Sequence, residues 1–283
     1  MRILITNDDG IHAPGIQAIT RAISRWVAAA PEGEEREAIV AAPNRNFSGM
    51  SSAVGDIFDD PHVDYERITI AGAENIPAYA LDAAPALCAI IGCLGDLGMR
   101  PTVIVSGINA GANVGRSVLH SGTVGAILTG AQLGVSGLAV SVNWGDEIHW
   151  DTAADIAVEV LSQFENAPSR TLFNLNVPNL TAAELKGVRR GRISTAGIVK
   201  AAGLRAGGEP LGEKGRLPLR LGAATPAIGD VSDEEPEDDG ALVTAGFASL
   251  TPLRGPHEDN DLGMDELVRD ALAVIESHLA ARR

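Results

Sequence analysis

Short apolar runs alternating with helix-length amphipathic segments constrain this chain more than any other feature. Arg2–Thr6, Ala38–Ala42, Thr102–Ser106, Leu138–Val142 and Leu172–Val177 each read as a buried strand. A helix is expected after Pro14 and Gly15, because Ile16, Ile19, Ile23 and Trp26 or Val27 recur at helical spacing. Pro14 suits a first helical position, where its missing donor costs nothing. Further helical patterns cover Pro85–Leu94, Thr123–Leu133 and Thr152–Phe164. Strands that are apolar throughout and separated by such helices predict an α/β fold, with a largely parallel sheet covered on both faces. The runs Val63–Ile70 and Ile76–Ala80 differ and predict a hairpin at the sheet edge. At 283 residues the chain is long enough for one large domain.

The pattern weakens after about residue 190. Residues 1–190 read as the core and 191–283 as a C-terminal extension. Residues 191–229 are rich in Gly, Pro, Ala and basic side chains, a composition for irregular strands or a projecting arm. Seven of the ten residues in 230–239, DVSDEEPEDD, are acidic. Self-repulsion and the lack of an apolar face predict a solvated loop whose deletion would change activity little. Its spacing lacks the glycine and ligand alternation of an EF-hand. Ala245–Leu250 reads as a strand running into Thr251–Pro252–Leu253. A final helix capped near Asp261 would present Met264, Leu267, Val268, Leu272, Ile275 and Leu279 on one face.

Charge and cysteine content narrow the function classes. With 22 Lys and Arg against 37 Asp and Glu, the net charge is −15. That leaves no basic surplus to displace counterions from a nucleic-acid polymer, and none is expected as a partner. Two cysteines, Cys88 and Cys93, are too few for a disulfide framework or a zinc site. The N-terminal apolar stretch ends after four or five residues at two carboxylates, shorter than a secretory core. No uninterrupted apolar run approaches the roughly 18 residues of a membrane span. A soluble, cytoplasmic protein is the expectation.

Polar residues concentrate where strands end. Asn7, Asp8, Asp9 and Gly10 follow the first strand, and ligands of open parallel sheets bind beyond the strands' carboxyl ends. Adjacent carboxylates raise each other's proton affinity unless a positive group joins them. Hard oxygen ligands favour Mg²⁺ or Mn²⁺, although Asn and Asp equally suit a capped turn. Ser106–Gly115, with Gly107, Gly111 and Gly115 spaced by four and Asn109 and Asn113 between, follows the third strand. It fits neither the dinucleotide fingerprint nor the P-loop. Ser121–Gly122–Thr123 opens the next helix, where unpaired amides and two hydroxyls would cradle an anion. Beyond the second strand, Arg45 could meet a phosphate and Ser48 could complete a ligand shell.

These clusters resemble the SurE family of stationary-phase survival proteins, metal-dependent phosphatases of nucleoside monophosphates. The resemblance rests on MRILITNDDGIHAPGI at the start, APNRNFSG at 42–49, VSGINAGANVG at 105–115 and SGTVGAILTGAQLG at 121–134. LAVSV at 138–142, NLNVP at 174–178 and SLTPL at 249–253 extend it over nearly the whole chain. It implies a three-layer α/β/α Rossmann-like core with an extended C-terminal portion, and a homodimer or homotetramer exchanging C-terminal elements. It implies one divalent cation per subunit, Mg²⁺ or Mn²⁺, held by Asp8, Asp9, Ser48 and Asn109. Asp8 and Asp9 would be the catalytic groups; Asn113, Ser121, Gly122, Thr123 and Arg45 would face phosphate. The implied reaction is hydrolysis of nucleoside 5′-monophosphates, and of 3′-monophosphates, to nucleoside and phosphate.

The chain departs from the family pattern at Asn44, often Asp, at Ile11, often aromatic, at His120, often Tyr, and across ALDAAPALC at 80–88. Ile11 and 80–88 would alter the floor or rim of a base pocket. His120 reads better as a pocket-wall residue than as a general acid, and four oxygen ligands leave His12 no required role. Three rivals carry different signatures. A non-catalytic nucleotide sensor would use the same loops without turnover. A phosphoaspartate enzyme would place DxDxT after its first strand, where this chain has NDDG. An NAD-dependent oxidoreductase would need the absent glycine fingerprint.

Overall fold

The computed structural model describes residues 1–55, 57, 61–194, 199–203, 219–223, 237–256 and 269. Residues 1–253 form one unit; 254–283 form a second, of which 254–256 and 269 are described. The expected terminal helix, residue 269 apart, and residues 230–236 of the acidic run lie outside the described residues.

Eleven strands are present among the described residues. They are β1 (Arg2–Thr6), β2 (Glu37–Pro43), β3 (Tyr65–Ile68), β4 (Ala78–Leu81), β5 (Val103–Ala110), β6 (Ser136–Val142), β7 (Leu172–Val177), β8 (Val188–Arg190), β9 (Val199–Gly203), β10 (Leu219–Ala223) and β11 (Ala248–Leu253). Five α-helices accompany them: α1 (Pro14–Ala28), α2 (Pro85–Leu94), α3 (Gly122–Gln132), α4 (Trp150–Ser162) and α5 (Asp239–Thr244). Nine strands make one sheet in the order β3-β4-β2-β1-β5-β6-β7-β11-β8, while β9 and β10 form a separate antiparallel pair. From β4 to β7 every neighbour is parallel; β3 joins β4, and β11 joins β7, antiparallel. The edge hairpin is therefore present as β3 and β4.

Period-two alternation builds the layers. Ile3, Ile5, Val40, Val103, Val105, Leu138, Val140 and Val142 pack with Ile16, Ile19 and Ile23 of α1 and with Ala153 and Ala157 of α4. Their sequence neighbours Leu4, Ile39, Ala41, Ile104 and Ala139 pack on the other face with Leu87 and Cys88 of α2 and Val124 and Ile127 of α3. The result is the three-layer α/β/α arrangement. Cys88 is buried, and desolvation drives its thiol pKa upward; burial likewise raises Cys93 to about 11. Neither is a nucleophile at neutral pH.

Chain order places the site. From β1 the sheet grows one way through β2 and the other way through β5, so β1 and β5 flank the switch point where such sheets open a crevice. The strand β5 runs past the expected Ser106 to Ala110. Ser106 pairs with Ala139 but Asn109 with Ser141, so three steps on β5 oppose two on β6, a bulge that re-aims the strand's end. Gly107 makes this local path possible: its φ is 135°, and a Cβ there would lie 2.2 Å from the Val140 carbonyl oxygen.

Candidate active site

The turn after β1 is tied from within. The Asn7 side-chain amide donates to the Gly10 carbonyl at 2.9 Å. The next loop joins it through Phe47 N–H, which donates to the Asp8 carbonyl at 2.7 Å. This draws the 44–52 loop over the Asp pair.

The two carboxylates occupy different environments. Asp8 is 3% exposed and sits at the start of α3. The Thr123 hydroxyl donates to its Oδ1 at 2.7 Å and Thr123 N–H to its Oδ2 at 3.1 Å. A Cβ on Gly122 would stand 2.9 Å from Asp8 Oδ2, so the close approach requires glycine. Asp9 is half-buried, and its Oδ1 accepts from Asn46 Nδ2 at 3.2 Å and Ser48 Oγ at 3.3 Å. Its Oδ2 faces Ala110 N–H at 3.5 Å, bringing the end of β5 alongside. Desolvation raises both pKa values; the Asp9 charge adds to the rise at Asp8, and the hydrogen bonds offset part of it.

Asp8, Asp9, Ser48 and the end of β5 thus share one place at the switch point. Asn109 is fixed by its own amide, which donates to the Gly111 carbonyl at 2.7 Å and leaves Oδ1 as the side-chain atom a cation could take. Beneath lie Thr6 Oγ1, Asn7 Oδ1 and Ser106 Oγ, buried without a hydrogen-bond partner among the described residues. No three His, Cys, Asp or Glu side chains converge among the described residues, so a cation here would need neutral oxygens to complete its shell. Two anionic carboxylates, a hydroxyl and an amide oxygen are a donor set that fits a hard divalent cation. Both Asp8 oxygens and Asp9 Oδ2 accept one hydrogen bond each and keep a second lone pair for it, whereas Asp9 Oδ1 accepts two.

The proposed phosphate side is more occupied than the sequence predicts. Unpaired donors were the expectation at the start of α3, but Thr123 commits both of its donors to Asp8, and Ser121 Oγ accepts from Val124 N–H at 3.1 Å as the helix cap. The anion at this helix terminus is Asp8 itself. Gly122 is the first-turn residue whose N–H these bonds do not use. Asn113 likewise spends its backbone N–H on Asn176 Oδ1 (2.7 Å) and its side-chain amide on Ser141 Oγ (3.0 Å). The Arg45 guanidinium pairs with Asp82 and lies 4.7 Å from the Phe47 ring centroid, so it would have to leave Asp82 to reach phosphate. His12 and His120 are exposed, and Ile11 is fully buried, which removes it from the surface of any base pocket.

Two contributors carry no motif signal of their own in the sequence. Asn46 lies in the PNRN run and bridges Asp9 to Ser48, whose N–H it accepts at 2.8 Å. Asp239 corrects the reading of 230–239 as solvated throughout. Glu237 and Asp238 are exposed, but Asp239 is completely buried at the start of α5. Its Oδ1 and Oδ2 accept from Gly115 N–H at 3.1 and 2.9 Å, and its Oδ1 also accepts from Ser194 and Gly240 N–H. A deletion through 239 would remove this clamp on the glycine-rich loop.

A family profile described as Survival protein SurE matches residues 3–199. The chain belongs to the SurE family. It is 35% identical over 282 residues to the 5′/3′-nucleotidase SurE of Photorhabdus laumondii, covering 98% of each chain. It is 36% identical over 259 residues to the protein of the same name from Cronobacter sakazakii, covering 89% of this chain and 90% of that one. The crystal structure of the SurE protein from Aquifex aeolicus superposes with a TM-score of 0.70 at 25% identity, covering 98% of this chain and all of that one. For this SurE chain, the match agrees with the layered fold derived from its own strands. No helix among the described residues is long and apolar enough to cross a membrane.

Proposed function

We propose that this chain is a divalent-cation-dependent nucleotidase that hydrolyses nucleoside 5′-monophosphates, and 3′-monophosphates, to nucleoside and phosphate. The observation that carries the reading is the meeting of Asp9, Ser48 and the Asn109–Ala110 end of β5 beside Asp8, at the sheet's switch point. The names of the two bacterial relatives support the nucleotide as substrate. Asp8, Asp9, Ser48 and Asn109 would hold the cation. When bound, Mg²⁺ or Mn²⁺ supplies charge neutralisation to the phosphoryl oxygens.

The protein groups divide the remaining work. Asp8, buried and held by Thr123, is the fixed carboxylate that positions the start of α3. Asp9 is more open, which suits it to orient the attacking water and accept its proton. Gly122 N–H, at the positive end of α3, is the donor that would meet charge on the transferring phosphoryl group. A cytoplasmic homodimer or homotetramer built through the C-terminal portion completes the reading, supported by the family resemblance.

The test is phosphate release from a panel of 5′- and 3′-nucleotides with Mn²⁺, with Mg²⁺ and with chelator. Release with cation and none with chelator is the expected result. Binding without release under every condition would overturn it in favour of a nucleotide sensor. Asn109→Ala should weaken cation affinity about tenfold or more, through loss of one of four ligands. An unchanged calorimetric cation titration would remove Asn109 from the shell.

A further inference from the structure

Trp144 stands two residues beyond the end of β6, on the rim from which the site opens, and is 70% exposed. Among the described residues no ring or cation packs on its face. Among the described residues the other strongly exposed large aromatic side chain, Tyr65, is explained by an edge contact with Tyr79 at 6.1 Å. The indole is not loose: Nε1 lies against Gly111, 2.4 Å from where a Cβ would stand. Gly111 adjoins Ala110, whose N–H faces Asp9, and its carbonyl receives the Asn109 amide. One residue step, about 3.8 Å, therefore separates the backbone at the carboxylates from the backbone under the indole.

The loop carrying Trp144 is braced on both sides. Asn143 N–H donates to the Val177 carbonyl at 2.9 Å, and Trp144 N–H to Asn143 Oδ1 at 3.1 Å. Downstream, Asn179 donates from Nδ2 to the Glu147 carbonyl at 2.6 Å and accepts His149 N–H at 2.8 Å on Oδ1. A large aromatic face held in solvent by a pinned loop is a preorganised surface for a planar ligand. We infer that Trp144 is the stacking platform for the nucleobase, a specificity-determining residue that takes purine or pyrimidine rings while the phosphate lies at Asp9 and Asn109. This rests on the nucleotidase reading for the phosphate, but the stacking itself does not depend on turnover.

The indole carries no charge, so it adds nothing to phosphate binding. A substrate without a base should be blind to it. Base–aromatic stacking is worth about 1–3 kcal/mol, or roughly 5- to 150-fold in affinity. In Trp144→Ala, KM for a nucleoside 5′-monophosphate should rise about tenfold, from the lower part of that range because one face stays in water. KM for ribose 5-phosphate should not change, kcat should stay near wild type for both, and Trp144→Phe should recover most of the loss. Titrating a phosphate-free nucleoside should quench indole fluorescence in the wild type and not in Trp144→Phe, where Trp26 and Trp150 remain. Equal KM changes for both phosphates, or undiminished quenching in Trp144→Phe, would overturn the platform. An enzyme that turns over neither phosphate yet is quenched through Trp144 would sink the nucleotidase reading and leave the platform standing.

Discussion

Asp9→Asn should lower kcat by about 10³-fold at saturating cation while leaving the thermal unfolding midpoint close to wild type. The structure separates this outcome from that of Asp8→Asn. Asn at 9 can keep an oxygen for Asn46 and Ser48, and the contact it forfeits, to Ala110 N–H, is long at 3.5 Å. What it loses is the charge that a cation and an attacking water both need. At 8 the exchange sets an amide donor against Thr123, whose hydroxyl and N–H both donate to the carboxylate. Asp8→Asn should therefore also lose about 1–3 kcal/mol of stability, the cost of a buried donor without an acceptor. Turnover by single-turnover kinetics, cation occupancy by calorimetry and unfolding by denaturant read the three quantities independently. Near-wild-type turnover of Asp9→Asn at equal occupancy would remove Asp9 from the chemistry. Equal stability of the two variants would refute the division of roles.

The layered fold was legible because it depends on local pattern. Apolar runs such as Arg2–Thr6 and Leu172–Val177 coincide with β1 and β7 residue for residue. Burial on both faces leaves no polar alternation to confuse the reading. The end of β5 was not legible. Gly107 and Asn109 look like loop residues, and the pairing of Asn109 with Ser141 and of Ala110 with Val142 keeps them in the sheet. That the loops carrying Asp8, Asp9, Ser48 and Asn109 open on one side could be anticipated because the parallel strands end at one edge of the sheet; their choice as a ligand set is what the family resemblance implies. How each side chain spends its hydrogen bonds could not. Thr123 faces a carboxylate 115 positions away, and Arg45 pairs with Asp82 rather than with anything in its own loop. Trp144 carries no sequence signal, because a lone aromatic in a polar loop has no periodicity; its meaning comes from Gly111 on the neighbouring strand end.

Asp239→Ala should cost about 3 kcal/mol and reduce kcat/KM by about 10- to 100-fold, although the residue touches neither proposed ligand nor substrate. Removing the carboxylate takes an acceptor from the N–H groups of Gly115, Ser194 and Gly240 in a site where the aspartate is completely buried. Gly115 links the loop bearing Asn113 to the turn Arg116–His120 and then to Ser121 and Gly122, so slack there displaces the start of α3. Asp239→Asn should recover much of both losses, since it keeps one oxygen acceptor and carries no charge to desolvate. The pH dependence distinguishes this account from simple loss of packing. Burial raises the Asp239 pKa despite its hydrogen bonds, so the folded protein holds a proton that the unfolded chain has already released. That contribution is fully present below the ordinary carboxylate range and is lost as pH rises through the raised folded-state value. In chelated protein, the stability of wild type should therefore fall with rising pH relative to Asp239→Asn, which cannot titrate at this position. Urea midpoints of the two proteins measured from acidic to neutral pH give the comparison. Parallel curves, or a wild type that gains on the variant as pH rises, would show that the buried carboxylate is not the strained partner of the glycine-rich loop. A falling difference together with intact turnover in Asp239→Asn would locate its role in holding that loop rather than in the reaction.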